Sequence, residues 1–293
     1  MSGALKEVRN RIKSVQSTQQ ITKAMKMVSA AKLRRAQDAI VQMRPYAQKL
    51  QEMLGNIIGS AEGDINMALA KERPVEKVLI IVITSDRGLC GGYNSNLIKL
   101  AKQVINSKYA SQDKKGNVQI LPLGKKGYEH FSKNKFKVDD RFWNIFSHLT
   151  FEDVVETSKY AMNSFASGEV DAVEIIYSEF RNAATQEFIS EQFLPVKKSE
   201  SKKGETKVDF IFEPDKNVLV EELMPKILNT QLYKALLDAN ASEHGARMTA
   251  MDQATENAEE LLRGLKISYN RARQASITTE LTEIVSGAAA LQG

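Results

Sequence analysis

The residues best suited to chemistry in this sequence stand together in one short glycine-bearing loop, Ser85 to Gly92. Backbone amides between a buried strand and a helix can bind a phosphate group. The glycines do not follow the GxGxxG spacing, however, and no Lys-Ser or Lys-Thr pair follows as in a P-loop. We therefore favour a tight turn that closes a strand-helix unit, with Arg87 available to contact a partner protein, over a nucleotide-using enzyme.

The other candidates for catalysis or metal binding are isolated from one another. Cys90 is the single cysteine, which excludes an internal disulfide and indicates a reducing compartment. It lacks a linked base, because the nearest histidine in sequence is His130. His148 and His244 lie too far along the chain to complete a metal-binding spacing. We predict no catalytic residue, no metal and no cofactor.

The composition is that of an ordinary globular protein. The chain has 293 residues, of which 42% are hydrophobic, and a formal net charge of +5. This length suggests about two domains. The longest strongly apolar run, residues 78–83, is far below the ~18 residues that a transmembrane helix requires. We also expect no secretory signal, since the first residues lead directly into a charged segment.

The two ends of the chain carry opposite charge. Residues 1–57 contain 11 basic and 3 acidic side chains, whereas residues 217–293 contain 7 basic and 10 acidic ones. The basic end could bind nucleic acid, yet Tyr46 is its only aromatic residue before Tyr93. We therefore favour pairing between the two ends, and the excess charge can still face another protein.

The first 57 residues are typical of one long helix with a coiled-coil seam. The apolar seam steps alternately by three and four residues through Leu33, Ala36, Ile40, Met43, Ala47, Leu50, Leu54 and Ile57. Pro45 interrupts this pattern. We expect a kink or local bend there, because the carbonyl four residues earlier loses its donor.

Upstream, the apolar line of this helix changes position. The same spacing begins at Leu5, Val8, Ile12 and Val15, but continues onto Gln19, Thr22, Lys26 and Ser29. The apolar residues there are Ile21, Met25 and Val28. The sequence therefore predicts a phase shift of the seam, which would change the local winding.

A second long helix is predicted at the end of the chain, entered near Glu213-Pro214-Asp215. Its seam runs through Met251, Ala254, Ala258, Leu261 and Leu265. After Glu283 no charged side chain remains. This uncharged end could be a frayed terminus or could insert into an apolar sleeve formed by partners, and the residues alone do not decide.

Between the long helices the sequence predicts an α/β domain. Strands are expected at 77–84, 118–123, 171–180 and 186–196, with a helix at 94–109 and another capped by Thr150. Residues 197–205 form a polar loop. The fold class is thus α/β: a long antiparallel coiled coil of the N- and C-terminal helices (1–57 and 214–293) plus a central Rossmann-like domain (75–213) with a mainly parallel sheet.

Five segments carry a resemblance to one family. They are Ile277 to Ala290, the opening Ile21 to Lys32, Ser85 to Gly91, Ser242 to Met251 and Tyr269 to Ser276. With them the chain resembles the gamma subunit of F-type ATP synthases. The first of these segments fits the family signature I-T-x-E-x-x-[DE]-x-x-x-G-A at every fixed position.

The resemblance implies a non-catalytic rotor. The paired helices would form the central shaft inside a ring of alpha and beta subunits, where the beta subunits carry out catalysis. The α/β domain would lie at the foot, with the epsilon subunit and the membrane c-ring. Such a subunit couples proton flow to ATP synthesis, regulates ATPase activity and sits peripherally on the cytoplasmic side of the cell (inner) membrane.

The resemblance also implies roles for particular residues. Met25 and Lys26 would meet the lever segments of the beta subunits, and Arg87 would reach a beta subunit from the foot. Arg273 and Gln274 would form a polar catch with a beta-subunit loop. The signature and bearing tip would comprise Ile277, Thr278, Glu280, Glu283, Gly287 and Ala288. Phe212 and Glu213 would lie near the epsilon and c-ring contact.

Overall fold

The computed structural model describes residues 3–59, 68–147, 149–183, 185–196 and 216–292. The chain forms two compact units, one of Met1–Ser29 with Arg247–Gly293 and the other of Ala30–Ala246. The helices are α1 (Gly3–Gly59), α2 (Tyr93–Lys108), α3 (Ala110–Lys114), α4 (Lys125–Lys133), α5 (Phe151–Ala166) and α6 (Lys216–Gln292). The strands are β1 (Val78–Ile83), β2 (Val118–Leu123), β3 (Lys137–Val138), β4 (Ala172–Phe180) and β5 (Gln186–Leu194).

Among its described residues, the larger unit contains one five-stranded sheet with the order β3-β2-β1-β4-β5. β1 lies between β2 and β4 and is parallel to both, and β3 continues the parallel arrangement beyond β2. β5 pairs with β4 in the antiparallel sense. The prediction of a mainly parallel sheet is therefore confirmed.

Both faces of β1 are buried, which explains its unbroken apolar sequence. Because successive side chains of a strand point to opposite faces, Leu79, Ile81 and Ile83 pack in one core with α5 and α6. Val78, Ile80 and Val82 pack in the other core with α2 and α4. The sheet is thus the middle of three layers, with helices on both sides.

The predicted cap at the start of α5 is confirmed. Thr150 has extended backbone angles, and its Oγ1 accepts a hydrogen bond from the Asp153 amide at 3.2 Å. We expect Thr150→Ala to lower the free energy of unfolding by about 1 kcal/mol, because one amide of the first turn loses its partner. Urea unfolding of the purified chain measures this, and Thr150→Ser should keep most of the stability.

In the smaller unit, α1 and α6 pair in the antiparallel sense, as the charge pattern predicted. Lys26 forms an ion pair with Asp252, and four residues earlier the Thr22 and Thr255 hydroxyls are 2.8 Å apart. Arg9 Nη2 donates to the Tyr269 hydroxyl at 2.9 Å. As residue numbers increase along α1, the numbers of their partners on α6 decrease, which is the mark of an antiparallel pair.

The predicted phase shift of the α1 seam is wrong. Thr22 and Ser29 are buried, whereas Ile21 and Val28 are each 57% exposed. The seam that begins at Leu5 therefore continues through the polar residues Thr22 and Ser29. The physical reason is pairing: Thr22 meets a polar partner on α6, and the Ser29 hydroxyl donates to the carbonyl oxygen of Met25, so these side chains are satisfied when buried.

One seam position on α6 also differs from the prediction. Leu262 is 6% exposed, whereas Leu261, which the spacing favoured, is 45% exposed. Steps of three and four residues from Ala258 both remain on one side of a helix, so the partner helix decides which leucine is buried.

Some predicted features of the long helices are untested. α1 runs through Pro45 and α6 runs through Pro225, and a bend at Pro45 stays a prediction. The predicted helix entry at 213–215 and the polar loop at 197–205 lie outside the described residues.

Candidate functional site

The loop after β1 is filled by its own side chains. The Ser85 amide donates to Asn94 Oδ1 at 3.0 Å, and the Ser85 hydroxyl donates to the Arg87 carbonyl oxygen at 2.7 Å. Cys90 is buried, with its sulfur 3.3 Å from the Asn94 side-chain nitrogen. A buried thiol within this turn packs as a small apolar side chain and is shielded from substrates.

The amides at the start of α4 are also used within the chain. Lys125 donates to Asp86 Oδ1 at 3.0 Å, and Gly127 donates to Thr84 Oγ1 at 2.8 Å. The Lys126 amide donates to the Ser85 carbonyl oxygen at 3.1 Å. Free amides at a helix start bind phosphate, but these three instead bond to residues 84–86 at the end of β1.

The crevice at the carboxyl ends of β1 and β4 is occupied by α6. From β1 the chain proceeds to β2 and β3 on one side of the sheet, and it then returns to β4 on the other side of β1. Rossmann-like folds bind their ligands at such a point. The Tyr93 hydroxyl at the start of α2 donates to the Ala239 carbonyl oxygen at 2.9 Å. Ser242 donates to the Ser178 carbonyl oxygen at 3.2 Å. The usual ligand position of the fold is therefore a packing contact between helix and sheet.

A glycine allows α6 to approach the turn after β4 closely. A Cβ atom built on Gly245 would lie 3.2 Å from the Ala183 carbonyl oxygen. Sequence reasoning missed the filled crevice, although a glycine inside a helical pattern is a signal of close backbone approach.

The histidines lie apart from one another within the described part of the chain. His130 is half-buried on α4, where burial and the nearby charge of Lys102 lower its pKa. His244 is half-buried on α6, and His148 lies outside the described residues. Among the residues that the structure describes, no group of three histidine, cysteine or acidic side chains could hold a metal ion.

One buried carboxyl group stands out in the larger unit. Asp238 on α6 is 1% exposed, and its Oδ1 has no hydrogen-bond partner within the described residues. Burial raises the pKa of Asp238 to about 6, with Lys234 and Arg44 opposing the shift and Glu179 adding to it.

This shift predicts a pH dependence of stability. An acid whose pKa is higher in the folded state destabilises the fold once it ionises, so the chain should lose stability as pH rises from about 4 to about 6. Asp238→Asn should remove this loss and raise the free energy of unfolding at pH 8 by roughly 3 kcal/mol. Melting temperatures of both proteins at pH 5 and pH 8 test this, and an equal difference at the two pH values would contradict it.

The residues expected to contact the beta subunits lie in both units. Met25 and Lys26 are half-buried on α1, and the Lys26 charge is paired with Asp252. Arg273 and Gln274 are exposed on α6, and Arg87 is exposed in the loop after β1. Phe212 and Glu213 lie outside the described residues.

The end of α6 is a helix with exposed side chains. The pairing that places Tyr269 beside Arg9 leaves the last turns of α6 beyond the start of α1 at Gly3. Ile284, Val285 and Leu291 are 67%, 66% and 90% exposed. The uncharged end is therefore helical through Gln292, with its large apolar side chains exposed.

The residues of the family signature and the tip fall into a polar set and an exposed apolar set. The hydroxyl groups of Thr278 and Thr282 bond to carbonyl oxygens of the preceding helical turn, and Glu280 lies 3.5 Å from the Ser276 hydroxyl. The exposed apolar positions Ile277, Leu281, Ile284, Ala288 and Leu291 recur at helical spacing. Glu283 is exposed at the last charged position, and a side chain at Gly287 would meet open space.

None of the helices that the structure describes is long and apolar enough to cross a membrane.

A Rossmann-like unit whose ligand crevice is filled by its own long helix is typical of a structural subunit, and the exposed apolar helix end indicates a larger complex.

Comparisons with known proteins agree with this class. The family described as ATP synthase matches residues 4–291. The ATP synthase gamma chain of Cytophaga hutchinsonii is 53% identical, over 98% of this chain and 99% of that protein. The gamma chain of Chlorobium phaeobacteroides is 50% identical, over 99% of each. The chain therefore belongs to the ATP synthase gamma chain family.

Solved structures share the fold at low sequence identity. A chain of the Euglena gracilis mitochondrial ATP synthase, OSCP/F1/c-ring, superposes with a TM-score of 0.68 at 21% identity, covering 99% of this chain and 95% of that one. A chain of the Tetrahymena thermophila mitochondrial ATP synthase central stalk and c-ring has a TM-score of 0.55 at 24% identity, covering 80% and 99%.

Proposed function

We propose that this chain is the central rotor subunit of a proton-translocating F-type ATP synthase. It turns inside a ring of alpha and beta subunits, couples proton flow to ATP synthesis and regulates ATPase activity, while catalysis belongs to the beta subunits. The structural observation that carries this proposal is the antiparallel helix pair whose uncharged end continues as a single exposed helix.

The exposed end of α6 acts as a bearing tip. An apolar helix without charges can turn inside an apolar sleeve, because no orientation requires a fixed ion pair or hydrogen bond. In water the same surface is unfavourable. We therefore assign the tip, from Ile284 onward, to the apolar sleeve formed by the alpha and beta subunits.

The helix pair transmits torque because its faces differ. On α1, polar pairs occupy the seam at Thr22 and Lys26, whereas Ile21 and Val28 face outward. Each orientation of such a shaft presents a different surface to a given beta subunit. Rotation then stabilises the catalytic-site conformations in turn, which is a shift of populations by differential contact.

The remaining contacts follow from the family resemblance. Met25 and Lys26 meet the beta-subunit lever segments, and the methionine is the adaptable part because Asp252 already pairs with the lysine. Arg87 reaches a beta subunit from the foot. Phe212 and Glu213 contribute to the contact with the epsilon subunit and the c-ring, which holds the complex peripherally on the cytoplasmic side of the cell (inner) membrane.

The polar catch gives a direct prediction. Arg273 and Gln274 are exposed, so Arg273→Ala combined with Gln274→Ala should leave the melting temperature of the chain unchanged. Loss of charge-assisted hydrogen bonds to a beta subunit should reduce ATP turnover of the assembled complex by roughly tenfold or more. Arg271→Ala, which changes an exposed residue on the same helix, is the matched control. If complexes with the unaltered chain, the double variant and Arg271→Ala turn over ATP equally, the polar catch is wrong.

The proposed function is tested by purification from the native cell. The chain is tagged, membranes are solubilised gently, and the proteins that co-purify are identified together with ATPase activity. We expect the alpha, beta and epsilon subunits with nucleotide hydrolysis. Recovery of the chain alone or with nucleic acid would overturn the rotor proposal. It would favour binding of nucleic acid by the basic residues 1–57, which also predicts salt-dependent affinity for RNA or DNA.

A further inference from the structure

We propose that a group of lysines at one edge of the central sheet binds the anionic phospholipid surface of the membrane. This inference rests on the proposed function, which brings the chain to the cytoplasmic side of a membrane. The lysines lie in the turns that lead into β2 and β3, at the end of α4 and at the start of β3. All five side chains are exposed, and we call them the basic edge: Lys114, Lys115, Lys133, Lys135 and Lys137.

The topology of the sheet brings these lysines together. β2 and β3 are neighbouring parallel strands, with Gln119 opposite Lys137, so both strands begin at the same edge of the sheet. Residues 115–117 lead from α3 into β2, and residues 134–136 lead from α4 into β3. Neighbouring strands are about 4.8 Å apart. The two turns therefore lie side by side, and their lysines form one positively charged surface.

Acidic residues do not neutralise this surface. Among the ion pairs of the described residues, none involves a lysine of the basic edge. The one acidic residue between Lys114 and Val138 is Glu129, and it pairs with Lys126. Residues 99–141 carry 11 basic and 4 acidic side chains, an excess larger than the net charge of +5 of the whole chain. Such a local excess attracts an anionic surface.

Lys135 occupies a position that normally belongs to glycine. It follows α4 with φ of 61°, and the amide of the next residue, Phe136, donates to the Phe131 carbonyl oxygen at 3.3 Å. In this type of helix end the left-handed residue is most often glycine, and the turn before β2 does use a glycine, Gly116, with φ of 72°. A positive charge at a helix end is favourable, but Lys133 already supplies one. Stability alone would favour glycine at position 135, so the lysine there points to a contact outside the chain.

The chemistry of the basic edge fits lipid headgroups better than a protein surface. The strongest contacts of a protein interface usually come from aromatic residues or arginine. The basic edge contains only lysines, which are hydrated point charges on flexible stems. Within the described residues, no large apolar side chain between Leu89 and Phe151 is exposed. A cluster of lysines is attracted to an anionic leaflet without a fixed geometry, and a fluid lipid surface lets the bound subunit rotate.

The experiment measures binding of the assembled complex to vesicles. The chain is first combined with the purified alpha-beta ring, which in the proposed function encloses the helix pair and keeps the charges of that pair away from the vesicles. The vesicles consist of phosphatidylcholine either mixed with phosphatidylglycerol or alone. We expect the complex to sediment with the mixed vesicles, not with the neutral ones, and to be released by high salt because exposed charges are then screened.

Variants of the chain locate the binding surface. One variant combines Lys114→Gln, Lys115→Gln and Lys135→Gln, and its complex should bind the mixed vesicles roughly tenfold or more weakly. The control replaces the same number of exposed lysines away from the basic edge and should bind nearly as the unaltered complex does: Lys99→Gln, Lys125→Gln and Lys159→Gln. Both variants should assemble with the ring in normal amounts.

Lys135→Gly adds a readout that a structural role of the lysine would not give. Because glycine adopts the left-handed conformation without strain, the melting temperature of the chain should stay equal or rise. Affinity for the mixed vesicles should nevertheless fall by roughly threefold or more, because one charge is lost from the surface. A lower melting temperature with unchanged vesicle binding would show that Lys135 serves the fold.

The remaining outcomes separate this inference from the proposed function. If the complexes of the edge variant and the control variant bind the mixed vesicles equally, the basic edge does not bind lipid. If the edge variant binds vesicles normally but its complex from the native cell lacks another subunit, the edge binds an acidic protein surface instead. Either result overturns the lipid inference and leaves the rotor proposal in place. If the unaltered chain does not assemble with the ring, both proposals fall.

Discussion

Ala288→Lys is expected to abolish incorporation of this chain into an ATP synthase complex. Ala288 lies in the exposed, uncharged end of α6, which we assign to an apolar sleeve. A lysine there would have to enter the sleeve without a partner, and burial of an unpaired charge costs several kcal/mol. We expect recovery of the assembled complex to fall by roughly a hundredfold or more.

The isolated chain should tolerate the same substitution. Lysine is a good helix former and is favourable near the end of a helix, so the melting temperature should not change. Asn270→Lys, at an exposed position on the paired part of α6, is the matched control and should assemble. Normal assembly of Ala288→Lys would show that the tip is a frayed or solvated terminus.

Gly124→Ala should have the largest effect on folding. Gly124 has φ of 125°, and an added Cβ atom would lie 2.1 Å from the Thr84 carbonyl oxygen. The clash is with backbone, at the point where three amides near the start of α4 hold the end of β1. We expect a loss of about 4 kcal/mol or more in the free energy of unfolding.

Gly116→Ala separates the clash from the backbone strain. Gly116 also has a positive φ, 72°, but a Cβ atom there would meet nothing within 4 Å. Its alanine variant should therefore lose only about 1–2 kcal/mol. Urea unfolding of both variants gives the comparison, and similar losses would mean that the chain moves away from Thr84 at little cost.

The sheet could be predicted from sequence because its strands are locally consistent. The β-branched run of β1 is buried on both faces, and the polar turns on either side leave few alternatives for its ends. The antiparallel helix pair was predictable for a similar reason, since opposite charges and heptad spacing agree. The mainly parallel order also follows from alternating strands and helices.

The errors occur where a partner, rather than the segment itself, decides what is buried. Ile21 and Val28 are the more apolar residues, yet Thr22 is buried because Thr255 meets it. Leu261 and Leu262 are equal in composition, and only the packing against α1 distinguishes them. The same holds for the candidate site, because a loop sequence does not reveal that α6 fills the neighbouring crevice.

The two polar layers at Thr22 and Lys26 also determine how the helix pair can respond to load. Apolar layers of a coiled coil are nearly interchangeable, so such helices can slide past each other by one heptad at small cost. Here sliding would separate Lys26 from Asp252 and Thr22 from Thr255. These two polar pairs therefore fix the axial register of α1 against α6 and oppose slippage of one helix along the other.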